Sequence, residues 1–179
     1  FFLLPPMECL MLSKRLILLV SATLCFSVSL CHADWLRFRG PNGSGISPDS
    51  AATPTKWSPT QNIKWKVPLP GPGVSSPIIV GDRIFVTCYS GYGLDRQDPG
   101  DINDLERHVL CMDAESGKTL WKWDAETVLP EIDTRRFRSY ASSTPAVDDE
   151  GVYCFLGKSG VVALDHTGNL LWQRSVGTE

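Results

Sequence analysis

The sequence predicts an all-β fold, a β-propeller of four-stranded antiparallel blades, and three observations predict it. Residues 111–121 return, one residue shorter, as residues 163–172: in each copy a strand meets an Asp-to-Gly turn and a second strand ends on Trp. Two further apolar runs precede each hairpin, residues 75–80 and 83–89 before the first and residues 142–147 and 151–156 before the second. These inner runs are almost continuously apolar instead of alternating, the pattern of strands covered on both faces. Four-stranded units in series hide their edges by ringing an axis, which is the propeller solution. About two blades are expected here against ~4–8 in a complete ring, so the remainder of the propeller is expected beyond residue 179.

Taken in order, residues 1–10 read as upstream sequence ahead of a start at Met11, with Met7 the alternative. Residues 11–33 have the three parts of a secretory signal: Lys14 and Arg15, an apolar stretch over 16–30, and Cys31-His32-Ala33 before a cut at Asp34. An uncleaved anchor is the competing reading, although the apolar run is short of the ~20 residues that span a bilayer. A lipoprotein cut at Cys31 is disfavoured by the bulky Leu30 before it. The expected product is periplasmic or secreted, with no membrane span once the signal is removed. Residues 34–62 read as an irregular lead-in and residues 63–67 as an outer strand that closes the ring through Trp65. Residues 75–124 read as the first blade, with an insertion over 90–107, and residues 141–175 as the second. A second insertion, over about 125–140, lies between them.

Residue chemistry supports each piece. Asp113 and Asp165 stand where a strand stops and a carboxylate can accept from turn amides, while Gly117 and Gly168 can take the positive φ that hairpin turns need. Trp121 and Trp172 fall at matching stations on the returning strands, where an indole can cover a neighbouring sheet. Pro77 and Pro145 stand at the start of the first strand of each unit, where a missing N–H is tolerated.

The Asp-x-x-x-Gly-Lys-x-x-Trp pattern of residues 113–121, its shorter partner and the preceding Ser75-Ser76-Pro77 resemble the tryptophan-docking repeats of pyrroloquinoline-quinone-like (PQQ-like) propellers. That superfamily includes quinoprotein alcohol dehydrogenases and the BamB lipoprotein of outer-membrane assembly. The segment Asp34-Trp35-Leu36-Arg37-Phe38-Arg39-Gly40-Pro41 also resembles the opening of secreted propellers common in planctomycete-type bacteria. The resemblance covers the chain from Asp34 onward. It implies docking roles for Trp65, Asp113, Gly117, Trp121, Asp165, Gly168 and Trp172.

Composition and motifs narrow the function classes. A net charge of −3 lacks the basic excess of a nucleic-acid-binding chain. Six cysteines include three after the leader: Cys88, Cys111 and Cys154. Cys88 and Cys111 lie on consecutive strands, so either a bridge or buried free thiols fits. No Cys-x-x-Cys spacing points to zinc, redox work or attached haem. Three histidines, His32, His108 and His166, have no motif partner, and no catalytic residue is identified. The Gly-rich runs at 40–45 and 71–73 lack the context of a phosphate loop and read as irregular chain.

The two insertions hold the candidate binding residues. Asp95, Asp98, Asp101 and Asp104 recur every third residue, a candidate set of hard oxygen ligands for calcium set against a plain solvated loop. Arg135, Arg136 and Arg138, beside Phe137 and Tyr140, are candidate contacts for a carboxylate or an anionic glycan, set against ordinary ion pairing at the surface. The leading functional expectation is an exported binding or scaffold module whose loops meet a protein or polymer. The alternative implied by the resemblance is a quinone- and calcium-dependent dehydrogenase of alcohols or sugars. That family's site needs vicinal cysteines, which the sequence lacks.

Overall fold

Strand formation follows the apolar runs. The computed structural model describes residues 34–47, 52–95, 97–131 and 139–177. β1 (Ile78–Val80), β2 (Arg83–Ser90), β3 (Glu106–Asp113) and β4 (Thr119–Ala125) pair in sequence order as one antiparallel sheet. β5 (Ala146–Val147), β6 (Val152–Phe155), β7 (Val161–Leu164) and β8 (Leu170–Arg174) form a second sheet of the same order. Two successive meanders of this kind are propeller blades, as the sequence predicts.

Register decides which residues share a face, because side chains alternate along a strand. Phe85 pairs with Cys111 and Cys111 with Trp121, so these three lie on one face of the first sheet. That face packs on the second sheet in a single core containing Ile78, Phe85, Val109 and Cys111 with Val147, Val152, Cys154, Val162 and Leu164. The opposite face holds Val86, Cys88, Leu110 and Met112, with Val67 and Ile84 packed against them. Both faces are therefore buried, which accounts for the unbroken apolar character of β2 and β3.

The same register rules out the bridge between Cys88 and Cys111. The two point to opposite faces and stand three places apart on the ladder, about 10 Å at 3.4 Å per residue, beyond what a disulfide spans. All three cysteines are buried and free. Burial pushes the Cys111 thiol up to about 11, with nearby Arg83 opposing it, and the Cys154 thiol up to about 12. Both behave as small apolar fillers.

A detail absent from the sequence pattern repeats in both blades. The register slips between Cys111 and Met112 and again between Ala163 and Leu164. Leu120 and Leu171, the residues before the two tryptophans, are thereby left over as bulges and stand exposed. A bulge re-aims the residues beside it, here the two indoles.

The region before the first blade touches the sheets at particular points. The lead-in is not wholly irregular: Trp35 exchanges both backbone hydrogen bonds with Ile79, and Leu36 accepts from the Val147 amide. Residues 34–36 thus bond to the first strand of both blades, because an unpaired inner edge leaves N–H and C=O groups that the segment satisfies. The Gly-Pro-Gly run is likewise in contact with the sheet. A Cβ at Gly71 would lie 2.0 Å from the Tyr89 carbonyl oxygen, and the Tyr89 amide donates to Pro72. Residues 63–67, by contrast, join neither sheet. The proposed signal segment and Arg135, Arg136 and Arg138 lie outside the described residues.

Candidate functional site

The two ends of the blades have different constructions. At one end the β3–β4 and β7–β8 turns receive an indole each. Trp65 Nε1 donates to the Ala114 carbonyl at 3.1 Å, and Trp121 Nε1 donates to the His166 carbonyl at 3.1 Å. Ala114 and His166 each follow the turn aspartate, so the two contacts are equivalent. A Cβ on Gly117 or Gly168 would lie 2.7 Å from the facing indole, and both glycines have positive φ, at 72° and 91°. Side-chain-free turns let the rings lie flush against backbone. Trp121 also meets Phe85 at 5.9 Å between ring centres, while Trp172 is 39% exposed and touches Tyr153 at 6.1 Å.

The carboxylates at these turns are strong acceptors. Asp165 Oδ1 accepts from the amides of Thr167 and Asn169 and Oδ2 from the Asn169 side chain; Asp113 Oδ1 accepts from the Ser116 amide and hydroxyl. Asn169 first, and Thr167 with it, hold the Asp165 carboxyl well below the usual carboxylate range; Ser116 does the same for Asp113. A lowered folded pKa gives stability that is complete above the unfolded value of about 4 and is lost as pH falls through the folded value. Denaturant midpoints of the full-length protein are therefore expected to hold from pH 7 to 5 and fall below about pH 4. Asp165→Asn should flatten that acid limb, and an unchanged limb would show that the carboxylate is equally hydrogen-bonded when unfolded.

At the other end the two insertions meet. Tyr89, Tyr92 and Leu105 pack with Tyr140 and Ala141, with Ile102 against them. Tyr140 meets Tyr89 and Tyr92 edge-on at 5.4 and 5.9 Å. Thr127 donates to the Leu105 carbonyl, Ser159 Oγ to Glu126 at 2.7 Å, and Lys158 to the Pro130 carbonyl. Beneath these loops Arg107 donates from Nη1 to Glu131 at 2.6 Å and from Nε to the Tyr140 carbonyl at 3.0 Å. The ion pair is almost wholly buried, at 5% and 4% exposure. One guanidinium thus holds two points of the inter-blade connection.

On the opposite face of the same strand ends lies a polar trio. Ser90 Oγ is 2.7 Å from His108 Nε2, and His108 Nδ1 is 2.6 Å from Asp124 Oδ1. Lys122 Nζ takes the other Asp124 oxygen at 2.7 Å, and Glu106 stands 4.0 Å from Nε2. His108 is 1% exposed, whereas Ser90 is partly open. Burial opposes ionisation of Asp124, but the bonds from Lys122 and His108 outweigh it and hold the carboxyl below its ordinary range. No sequence motif supplies these partners of His108. Strand register supplies them, and no spacing in the chain announces it.

The four aspartates of the first insertion do not converge. Asp95 accepts from the Gln97 amide, and Asp101 accepts from the amide and side chain of Asn103 to cap a short 3₁₀ turn, Ile102–Asp104. Asp95 and Asp101 thus serve local turns.

The family model described as outer membrane protein assembly factor BamB, a PQQ-like repeat family, matches residues 47–179. The chain belongs to this family. No curated protein matches it. Membership of the BamB-type PQQ-repeat family agrees with the two meandering sheets and the repeated indole-on-turn contacts. It does not bring quinone chemistry with it. This PQQ-repeat chain has no two adjacent cysteines, and no group of three or more His, Cys, Asp or Glu is placed for a metal ion among the described residues. The described residues do not fit a quinone–calcium site. No helix among them is long and apolar enough to cross a membrane.

Proposed function

We propose that this chain is an extracytoplasmic binding module that engages a polypeptide partner through the loops at the insertion end of its first blade. The supporting observation is the convergence there of both insertions with the 156–160 turn of the second blade, fastened by the tyrosine cluster and the Arg107–Glu131 pair. Loops preorganised on a rigid sheet lose little freedom when a partner docks. The BamB family is named for outer-membrane protein assembly, a role in protein recognition. Indole contacts at Trp65, Trp121 and Trp172 act in this reading as rivets between blades, and Arg135, Arg136 and Arg138 as contacts to acidic groups of the partner.

A photo-crosslinking residue introduced in the full-length protein tests the placement. Leu94 and Leu129 are exposed, one in each insertion, and Thr167 is exposed at the opposite end. A discrete cross-linked polypeptide is expected in cells from positions 94 and 129 and none from position 167. Cross-linking confined to 167, or absent from both loop positions, would overturn the proposal.

A further inference from the structure

We infer that Ser90 is an activated nucleophile, with His108 as its general base and Asp124 as the group that orients the base, at an acyl-transfer site for carboxylic esters. The chemistry needs a hydroxyl, an imidazole and a carboxylate joined in that order by hydrogen bonds, and the distances of 2.7 and 2.6 Å meet that requirement. The order of atoms is also right. An ionised carboxylate only accepts, so Asp124 requires the proton on His108 Nδ1, which leaves Nε2 of the neutral ring free to accept from the Ser90 hydroxyl. Lys122 occupies the second carboxylate oxygen and fixes Asp124 without displacing the imidazole.

The imidazole is sealed at 1% exposure, while Ser90 ends β2 partly open to solvent. Gly91 follows at φ 81°, where the chain leaves the sheet for the first insertion. In the reaction the Oγ–C bond forms as the hydroxyl proton passes to Nε2. The ester C–O bond then breaks, and the departing alkoxide takes that proton. Water, deprotonated by the same imidazole, releases the acid and restores Ser90. No oxidant or metal is required. The inference is independent of partner binding at the loops.

A fluorophosphonate is the probe, since its phosphorus accepts the serine oxygen as fluoride leaves and the adduct is stable. Incubation of the full-length protein followed by peptide mass spectrometry is expected to place the adduct on Ser90 and to lose it in Ser90→Ala. Asp124→Asn, at a half-exposed position, is expected to label about 100-fold more slowly per folded molecule, the usual scale of base catalysis. His108→Gln should behave similarly. No Ser90 adduct on the unaltered protein would overturn the inference outright, and equal labelling rates in folded Asp124→Asn would overturn the relay.

Discussion

Glu131→Ala is expected to cost about 3–5 kcal/mol of folding stability, the largest loss from any single charged residue in the described structure. Among the described residues the Glu131 carboxylate is the charged partner of Arg107, and both side chains are almost fully out of water. Removing it leaves a guanidinium that cannot shed its proton, held by the Tyr140 carbonyl and lying 5.8 Å from the Tyr140 ring. The cost comes from the stranded charge more than from the lost bond. Replacing both partners together, Arg107→Met with Glu131→Leu, is therefore expected to recover most of the loss. Urea unfolding of the full-length protein measures both. A single-variant loss below about 1 kcal/mol would show that water reaches the pair.

Trp121→Ala is expected to be similarly severe, about 3–5 kcal/mol, because it empties the seam between the two blades. The indole covers Phe85, fits the turn at Gly168 and donates to the His166 carbonyl. Trp121→Phe separates these contributions: most ring packing survives, and the lost N–H bond should account for about 1 kcal/mol. If the phenylalanine variant is as damaging as alanine, the hydrogen bond and not the packing governs the seam.

Much of the fold was legible because its signals are local. Asp113, Gly117, Asp165 and Gly168 act on neighbours within a few residues, so residue type and spacing reveal the turns. The tryptophan stations were legible for a related reason, since a fixed offset from the turn places them on the returning strand. The backbone contacts of Trp35 and Leu36 with the sheets were not legible, because no alternating run surrounds them. Their strand-like character comes from the free inner edges of β1 and β5, elements that lie far along the chain. The local turns made by Asp95 and Asp101 were equally hard to read, since periodic spacing in a loop without regular structure does not by itself fix what the side chains meet.

The candidate sites were the least legible part. Ser90, His108 and Asp124 are separated by 18 and 16 residues, across an insertion and a turn of unequal lengths. Only the pairing of Cys88 with His108 and of His108 with Asp124 sets them side by side. A slip of one place would have sent His108 to the other face.

From its sequence alone this protein is determined to be a run of four-stranded units with indoles at matching stations, because repeats, turns and strand patterning are written within windows of about ten residues. Tertiary structure alone decided the face each residue occupies, the burial of Arg107 with Glu131 and the assembly of the serine–histidine–aspartate trio. Those depend on register between strands distant in the chain, where the free energy of the whole packed sheet, and no local preference, selects one alignment.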